Sequence, residues 1–587
     1  MRLSGTKTGA INQYRGLGDQ LWDLGGARPT LDLNFAQSKS LVDATTGSNL
    51  VTFTRQSSGT YVGSDGLIET ATTNLLLRSE EFDDPSWSTS SLTITPNDIT
   101  APNGTLTADR WQNTSTTGVI SQPITKAAAA TTYTASVWLK SAEAINFSLT
   151  VDDGGTTNRG RCTFDITTGE ILTENDDGDF TNTSATIIAY PDSWYRITVT
   201  TTTNTQTTAR FRAFFSGNGD IVYLWGAQLE QSSTVGEYIP TTSTINSAPR
   251  FDHDPATGES LGLLVEESRT NLIAPSVPDA GTSWNVGTNV SATENDDVSP
   301  DGTSSATYYE ITAGPGQQFV SYDATVTAST AYTFSFYIKN DTASDLEYSV
   351  LNLGAAADIV PATSYLSQVN TDSYTRISFS FTTPVGCTSA RVFISRPYGE
   401  TGAFYAWGAQ LEAGSFPTSY IPTEGSTVTR AADVASISGS NFSSWYNQSE
   451  GTTYYEAVQP LQFIPFQAIA TFTASTIVDE WRIWRSNTNT AASTATVSSS
   501  ISLSATINYF AAPNGGYAFA GAMKTDDAIC AANGILSNAD TSGQFPSFQS
   551  LRLGARSNNT FYWNGHISRL TYWPQRLPDS TLQTITQ

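Results

Sequence analysis

Charge, histidine and cysteine are all scarce in this sequence, and each scarcity argues against a class of protein. Charged residues make up 14% of the 587 residues, against about 25% in average globular proteins. His253 and His566 are the only histidines, which disfavours a zinc site or a Ser-His-Asp triad. Cys162, Cys387 and Cys530 are distant from one another and odd in number. They therefore form no disulfide framework, and we predict that they are core residues.

Positive charge and long apolar runs are also lacking. Lys and Arg number 29 against 54 Asp and Glu, a net charge of −25. Such a chain repels phosphates, so we expect no nucleic-acid partner. No apolar run approaches the roughly 18 residues that span a membrane, and the N-terminus has no apolar signal region. We expect synthesis in the cytoplasm without membrane insertion, and an acidity that serves the solubility of a large surface.

The composition that is present favours β-structure. Thr, Ser, Asn and Gly replace the missing charge, and aromatic residues make up 11% of the chain. This mixture suits strands with polar outer faces and many turns, and it is poor in the runs that long helices use. The sequence therefore predicts an all-β protein of tandem antiparallel β-sandwich (jelly-roll) domains with little helix.

The chain also repeats itself. "YLWGAQLEQSSTVGEYIPT" begins at Tyr223, and "YAWGAQLEAGSFPTSYIPT" begins at Tyr405. Upstream, "TTNLLLRSEEF" corresponds to "RTNLIAPSVPD", and "TYTASVWLK" to "AYTFSFYIK". The first copy carries about 19 extra residues between Lys140 and Asp192, including the acidic stretch "ENDDGDF". Duplicated modules of this kind are more often building or binding units than catalytic ones.

Period-2 alternation assigns faces to the repeated strands. The predicted core faces are Tyr133, Ala135, Val137 and Leu139 in the first copy, and Tyr332, Phe334, Phe336 and Ile338 in the second. In the WGAQLE strand the same alternation predicts one core face of Tyr223, Trp225, Ala227 and Leu229. The repeated motif is then a scaffold strand, and Gln228 and Glu230 take its other face.

We predict six segments. They are an N-terminal arm (1–27), a small β segment (28–73), jelly roll 1 (74–245, module 1), a β connector (246–270), jelly roll 2 (271–430, module 2) and a C-terminal lectin-like domain (431–587).

These motifs resemble those of a known group of proteins. Modules ending in W-G-A-Q-L-E and Y-I-P-T resemble the carbohydrate-binding-like jelly rolls in structural and fibre proteins of tailed bacteriophages. "PRFDHDPATGESLGLLVEESRTNL" is typical of the same proteins. The end of the chain, "LRLG…FYWNGHISRLTYWPQRLPDSTLQTIT", resembles concanavalin-like (laminin G-like) lectin domains.

The resemblance implies a function and a location. The expected protein is a non-enzymatic structural protein of the virion surface, a fibre or decoration subunit that displays glycan-binding modules for host attachment. Its expected partners are other virion proteins and host-surface glycans, and we expect a homotrimer, since symmetric assembly is the default for such proteins.

Two other functions stay open, a purely structural capsid or tail decoration protein and a polysaccharide depolymerase. The depolymerase is disfavoured because the E-x-D-x-x-E strand of concanavalin-like glycosidases is missing, and Asp479 and Glu480 are adjacent residues on opposite strand faces. We expect no cofactor, although the acidic stretches 173–179 and 251–259 leave structural calcium open.

Two sets of candidate site residues follow from this interpretation. Aromatic and basic residues on the polar strand faces are the glycan-binding candidates, with packing as the alternative. These are Trp138, Lys140, Trp194 and Arg196 in module 1, and Tyr337, Lys339, Tyr374 and Arg376 in module 2. The apolar residues of the arm are the candidates for anchoring to the virion, namely Leu17, Leu21, Trp22 and Leu24.

Overall fold

The structure is a computed structural model that divides the chain into two compact units. It describes residues 20–23, 27–314, 318–396, 401–458, 466–474, 479–487, 490–497, 500–508 and 516–587. One unit is Arg55–Ser58 with Ala71–Ala248, and it contains module 1. The other is Met1–Thr54, Gly59–Thr70 and Pro249–Gln587, and it contains module 2 and the C-terminal domain.

The all-β prediction is confirmed, because antiparallel sheets dominate both units. The α-helices in the described residues are short: Gln20–Asp23, Phe35–Ser38, Gly439–Ser443 and Asp579–Ile585. Single 3-10 turns occur at Pro191–Ser193 and Leu366–Gln368. In the described part of the chain, no helix is long and apolar enough to cross a membrane.

Module 1 is a sandwich of two six-stranded sheets. Its WGAQLE sheet contains, in spatial order, Thr181–Tyr190, Trp194–Thr202, Thr132–Ser141, Ile221–Glu230, Ala108–Asn113 and Leu92–Ile99. Its opposite sheet contains Glu170–Asp177, Arg159–Asp165, Asn146–Asp152, Thr208–Ser216, Thr117–Thr125 and Ser88–Ser90. Thr73–Asn74 pairs with Asn246–Ser247 beside them.

Module 2 has the same arrangement with five strands in each sheet. Its WGAQLE sheet contains Val290–Val298, Ser304–Ile311, Gly402–Ala413, Ala331–Asn340 and Thr375–Thr382. Its opposite sheet contains Asn285–Val286, Val320–Thr325, Ser389–Ser395, Glu347–Asn352 and Ala357–Ser364. Arg269–Asn271 pairs with Val428–Arg430 beside them.

The extra residues of module 1 form two strands joined by a turn that crosses from one sheet to the other. The two strands, Glu170–Asp177 and Thr181–Tyr190, each add one edge strand to one of the two sheets. The turn between them contains Gly178 at a φ of +67°, a conformation that suits glycine. The acidic stretch therefore extends the sandwich, and three of its four carboxylates have partners: Glu174 and Asp176 accept backbone N–H groups, and Asp177 pairs with Arg159.

The C-terminal domain is a third sandwich. One sheet contains Arg250–His253, Ser260–Val265, Gly565–Trp573, Glu450–Val458, Gly516–Lys524, Asp527–Ala532 and Ile535–Leu536, with Leu31–Leu33 also paired to Gly565–Trp573. The facing sheet contains Thr52–Thr54, Val434–Ser438, Ser550–Leu553, Gln467–Thr473, Glu480–Asn487, Thr490–Val497 and Ser500–Asn508. The short hairpin Thr60–Val62 and Ile68–Thr70 lies outside these sheets.

Within segment 28–73, only the hairpin Thr60–Val62 and Ile68–Thr70 forms a small sheet of its own, and two earlier strands join the C-terminal sandwich. Leu31–Leu33 pairs with Gly565–Trp573, and Thr52–Thr54 pairs with Val434–Ser438. The physical reason is burial: Leu31, Leu33 and Phe35 are fully buried in the core of the C-terminal sandwich. Pairing over a long sequence separation thus lets the first described strand join a sheet next to Gly565–Trp573, near the end of the chain.

Two of the predicted anchoring residues need the same correction. Leu21 is buried against the C-terminal sandwich and the last helix, and Trp22 packs on the same cluster. The Trp22 indole N–H also donates to Asp32 at 2.9 Å. These two side chains are covered by their own chain, because an apolar pair next to an incomplete core gains more from burial there than from exposure. Leu17 and Leu24 lie outside the described residues.

The core predictions for the matched strands are confirmed. Tyr133, Ala135, Val137 and Leu139 lie in the module 1 core, and Tyr332, Phe334, Phe336 and Ile338 lie in the module 2 core. The three cysteines are buried and unbridged, as expected.

An asparagine closes each module, and we call this arrangement the asparagine latch. The Asn74 amide donates to the carbonyls of Ala227 and Ile239 and accepts from the N–H groups of Leu76 and Leu229, at 2.9 to 3.3 Å. Asn271 repeats all four bonds with Ala409, Ile421, Ile273 and Leu411, at 3.0 to 3.1 Å. In each module, the asparagine of the repeated "TNL" segment therefore ties the beginning of the sandwich to the "WGAQLE" and "YIPT" segments at its end.

Buried charges join module 2 to the C-terminal sandwich. Arg250 contacts Glu266 at 2.9 Å and also pairs with Asp433. Arg430 lies 3.5 Å from Glu266, and the Glu266 carboxylate accepts from the N–H and hydroxyl of Ser419, both at 2.7 Å. Charges this deeply buried are tolerated only when they are paired and hydrogen-bonded, so the cluster specifies this junction.

Candidate functional site

The predicted aromatic platform of module 1 is covered. Trp138 is 5% exposed and Trp194 is 2% exposed. The ring centroids of Trp225 and Tyr238 each lie 5.3 Å from that of Trp138, and the Arg196 guanidinium lies 4.2 Å from the Trp138 centroid. Trp138, Trp194 and Arg196 are therefore packing residues, and the prediction that they contact a glycan is wrong.

The segment that follows the WGAQLE strand in each module, which we call the repeated tail, covers this face. Tyr238 belongs to the segment after the WGAQLE strand, and its hydroxyl bonds the Ser79 hydroxyl at 2.7 Å. In module 2 Tyr420 holds the same place, bonded to Ser276 at 2.6 Å and lying against Tyr337 and Trp407. The tail folds over the outer sheet face because that face carries a second, smaller aromatic cluster.

A glycine bulge creates that second cluster. At Gly226 the φ is +66°, and two residues there oppose a single residue of the neighbouring strand. Val222 and Leu224 before the bulge, and Ala227 and Leu229 after it, all face the main core, whereas Tyr223 and Trp225 face outward. The prediction of one face for Tyr223, Trp225, Ala227 and Leu229 is wrong for this reason. Gly408, at a φ of +59°, repeats the bulge in module 2.

The predicted pair Tyr337 and Arg376 in module 2 is half-buried, and its polar and aromatic groups are engaged in packing. Tyr337 packs edge-on against Trp407 at 5.5 Å. Arg376 lies over the Tyr337 ring at 5.5 Å and donates to the Ser335 hydroxyl at 2.9 Å. These two residues support the strand pairing of the outer face, and they are not a binding surface.

The other two predicted residues of module 2 lie in a half-exposed surface, which we call the tyrosine row. It crosses four adjacent strands of the WGAQLE sheet and consists of Tyr308, Tyr405, Lys339 and Tyr374. The rings of Tyr308 and Tyr405 lie 5.1 Å apart. The Lys339 ammonium lies 4.5 Å from the Tyr405 centroid and 5.2 Å from that of Tyr374.

Asp297 organises the charged end of the tyrosine row. It accepts a hydrogen bond from the Tyr374 hydroxyl at 2.8 Å and forms an ion pair with Lys339. Burial alone raises the pKa of Asp297, but the hydrogen bonds from Lys339 and Tyr374 lower it below its usual value. Burial, with the bond to Asp297, raises the pKa of Tyr374, and burial with nearby carboxylates raises the pKa of Tyr405. At neutral pH the row thus presents protonated hydroxyls, one ammonium and one carboxylate.

Module 1 has a different row at the same place. Arg110, Tyr223 and Lys140 pair across its strands, and Trp194 begins the next strand. Lys140 is half-exposed, as the prediction required, but Trp194 beside it is buried. The two modules share a scaffold here and differ in the side chains that reach the surface.

Tyr308 and Tyr405 are not among the predicted binding residues. Tyr405 opens the repeated motif, and the glycine three residues later, Gly408, is the only sequence feature compatible with the bulge that places Tyr405 on the outer face. Tyr308 has no such feature beside it.

A metal centre has no support in the described residues. No group of three or more His, Cys, Asp and Glu residues is placed to hold a metal ion in the part of the chain that the structure describes. In the stretch 251–259, Asp254 accepts the backbone N–H groups of Ala256 and Thr257, as turn residues do.

One family match lies within module 2. Residues 278–399 match the family described as a carbohydrate binding domain. No curated protein matches the chain.

Among solved structures, the N-terminal CBM22-1-CBM22-2 tandem domain of Xyn10C from Paenibacillus barcinonensis is 13% identical. That match covers 59% of this chain and 98% of the other, with a TM-score of 0.24. The CBM40 domain of an IT-sialidase from Ruminococcus gnavus, bound to α2,3 sialyllactose, is 13% identical. It covers 25% of this chain and 88% of its own, with a TM-score of 0.23.

Proposed function

We propose that the protein binds glycans, and that the tyrosine row of module 2 is one of its binding surfaces. The observation that carries this proposal is a coincidence of two findings. The segment that matches a carbohydrate binding domain, 278–399, contains Tyr308, Lys339 and Tyr374 of the row. The same residues form a half-exposed line of rings on the outer face of a sheet.

The chemistry of the row suits a polyhydroxylated ligand. The tilted rings of Tyr308 and Tyr405 offer apolar surface to the C–H face of a sugar, while their hydroxyls stay polar. Lys339 and Asp297 supply a donor and an acceptor that are already fixed by their mutual ion pair. Because these groups are held before binding, little conformational entropy is lost on contact.

Alanine variants test the surface. Tyr405→Ala and Tyr308→Ala, each in the full chain, are expected to weaken binding to a glycan identified on an array of host-surface polysaccharides by about tenfold or more. Phe319→Ala is the matched control, since it removes a half-exposed ring from the opposite sheet of the same module. Equal affinity of the tyrosine variants and the unaltered protein, measured by affinity electrophoresis, would overturn the assignment.

We further propose that the protein is a fibre or decoration subunit on the virion surface of a tailed bacteriophage, and a homotrimer there. The support is the pair of W-G-A-Q-L-E and Y-I-P-T segments, which serve as closures of tandem sandwiches. Antibody labelling of particles by electron microscopy tests the location, and light scattering tests the stoichiometry. Unlabelled particles, or a monomer at micromolar concentration, would contradict the respective proposal.

We propose that the protein is not an enzyme. Glu480, in the strand where a glycosidase carboxylate was sought, is fully buried and paired with Arg556 at 2.8 Å and Arg482 at 3.4 Å. A carboxylate held in this way does not reach a glycosidic bond. Release of reducing ends from a bound polysaccharide would instead assign a depolymerase, and absence of any glycan binding would leave a purely structural subunit.

A further inference from the structure

Module 1 carries a row of unpaired positive charge on its opposite sheet. Arg161, Thr150 and Arg212 lie side by side in three adjacent strands, with Thr150 paired to both arginines. Their neighbours along each strand, such as Cys162 and Leu149, face the core, so all three side chains point outward. We call this arrangement the arginine row.

The two arginines of the row lack carboxylate partners within the described residues. Arg161 Nε is buried without a hydrogen-bond partner there, and Thr150 Oγ1, on a fully buried residue, also lacks one. Arg212 contacts the Phe214 ring at 5.5 Å. The lack of carboxylate partners for both arginines is unexpected in a chain with 54 acidic and 29 basic residues.

The neighbouring arginines on this sheet, Arg210 and Arg159, are each paired with a carboxylate. Arg210 makes two bonds to Asp152, at 2.7 and 3.0 Å, and Arg159 bonds Asp177 at 2.7 Å. These pairs use the nearby carboxylates and leave the arginine row with a net positive charge. Neighbouring strands are about 4.8 Å apart, so the two arginines stand on either side of Thr150 at a spacing that one anionic group can bridge.

Module 2 provides an internal comparison. On its opposite sheet, Arg391 bonds Asp323 at 2.5 and 2.7 Å, and Arg396 bonds Asp358 at 2.7 Å. Both arginines are thus neutralised on a scaffold of the same topology. The unbalanced row is a property of module 1 alone.

We propose that the arginine row binds the carboxylate groups of an acidic polysaccharide. The half-exposed Arg161 and Arg212 hold the carboxylate from either side of the buried Thr150. The half-exposed Phe214, next to Arg212 on the same face, receives the C–H face of the sugar ring. This site is independent of the tyrosine row.

The test uses the full chain and three soluble polymers. Polygalacturonate supplies carboxylates, dextran sulfate supplies sulfates, and dextran is the neutral control. We expect polygalacturonate to be bound, with at least tenfold loss in the double variant Arg161→Gln/Arg212→Gln and less than twofold change in Arg391→Gln. Arg391 is the control because it lies on the opposite sheet of module 2 and is already paired with Asp323. Thermal melting is expected to be unchanged in the double variant, since no ion pair is removed.

Several outcomes decide the proposal. Unchanged affinity of the double variant, or no binding of polygalacturonate by the unaltered protein at low salt, would overturn it. Preference for dextran sulfate or single-stranded DNA over polygalacturonate would overturn the carboxylate assignment. Tyr308→Ala is expected to leave polygalacturonate binding intact, so a failure of the tyrosine row and a failure of the arginine row give different results.

Discussion

Removal of the asparagine latch from module 1 is expected to destabilise one unit of the protein selectively. Asn74 is fully buried and makes four hydrogen bonds to backbone groups of the strands that it joins. At about 1 kcal/mol for each bond, Asn74→Ala costs about 4 kcal/mol of the free energy of unfolding. For a unit of this size, about 2–4 °C are lost for each kcal/mol, so the melting temperature falls by about 8–16 °C.

Differential scanning calorimetry of the full chain measures this effect. Module 1 belongs to a separate compact unit, so we expect one melting transition to move and the other to stay. Asn74→Asp is a sharper variant, because it replaces two donated bonds with a carboxylate oxygen facing two carbonyls. Asn175→Ala, a half-exposed asparagine of the same module, is the control. A decrease below about 2 °C in Asn74→Ala, or equal displacement of both transitions, would refute the reasoning.

Three further predictions follow from buried or strained residues. Trp138→Ala is expected to lower the free energy of unfolding of module 1 by about 3–5 kcal/mol, measured by denaturant titration. Unchanged stability would contradict the buried position of the ring. Gly408→Ala places a Cβ at a φ of +59° and 3.0 Å from the Tyr337 ring, so we expect a loss of about 1–2 kcal/mol in thermal melting, with a neutral result arguing against the bulge. Burial raises the pKa of Glu266 but Arg430 and Arg250 lower it well below its usual value, so its contribution to stability is present at neutral pH and is lost as the pH falls below about 4. Glu266→Gln is expected to lower the melting temperature at pH 7 and to reduce its acid dependence, and a parallel acid decline in both proteins would contradict this.

The sequence predicts the regular strands well and the interruptions poorly. Alternation over Tyr133–Leu139 identifies the core face because nothing interrupts the pleat of that strand. In the WGAQLE strand, the backbone conformation at Gly226 shifts the alternation by one residue. Glycine is compatible with a bulge but does not require one, so period 2 alone misassigns Trp225.

The sequence did not predict which sheet faces are covered by other segments of the chain, and this is why several candidate site residues proved to be buried. Trp138 lies on the polar face, as predicted, yet Tyr238 from the following segment covers it. Long-range cover of this kind depends on where a loop returns, which local alternation does not encode. Similarly, the sequence shows that Leu21 and Trp22 are apolar but not that their own C-terminal sandwich receives them.

The duplication separates scaffold from recognition within a single chain. Buried polar contacts are repeated bond for bond, as Asn74 and Asn271 show. Surface positions on the same scaffold are repeated less strictly. Tyr223 and Lys140 correspond to Tyr405 and Lys339, but Arg110 stands where module 2 has Tyr308. A latch tolerates little change, since each lost bond leaves a buried group unsatisfied, whereas an outward side chain can change at small cost to stability. The two modules therefore keep one interior, while part of the outer row has changed without cost to the scaffold.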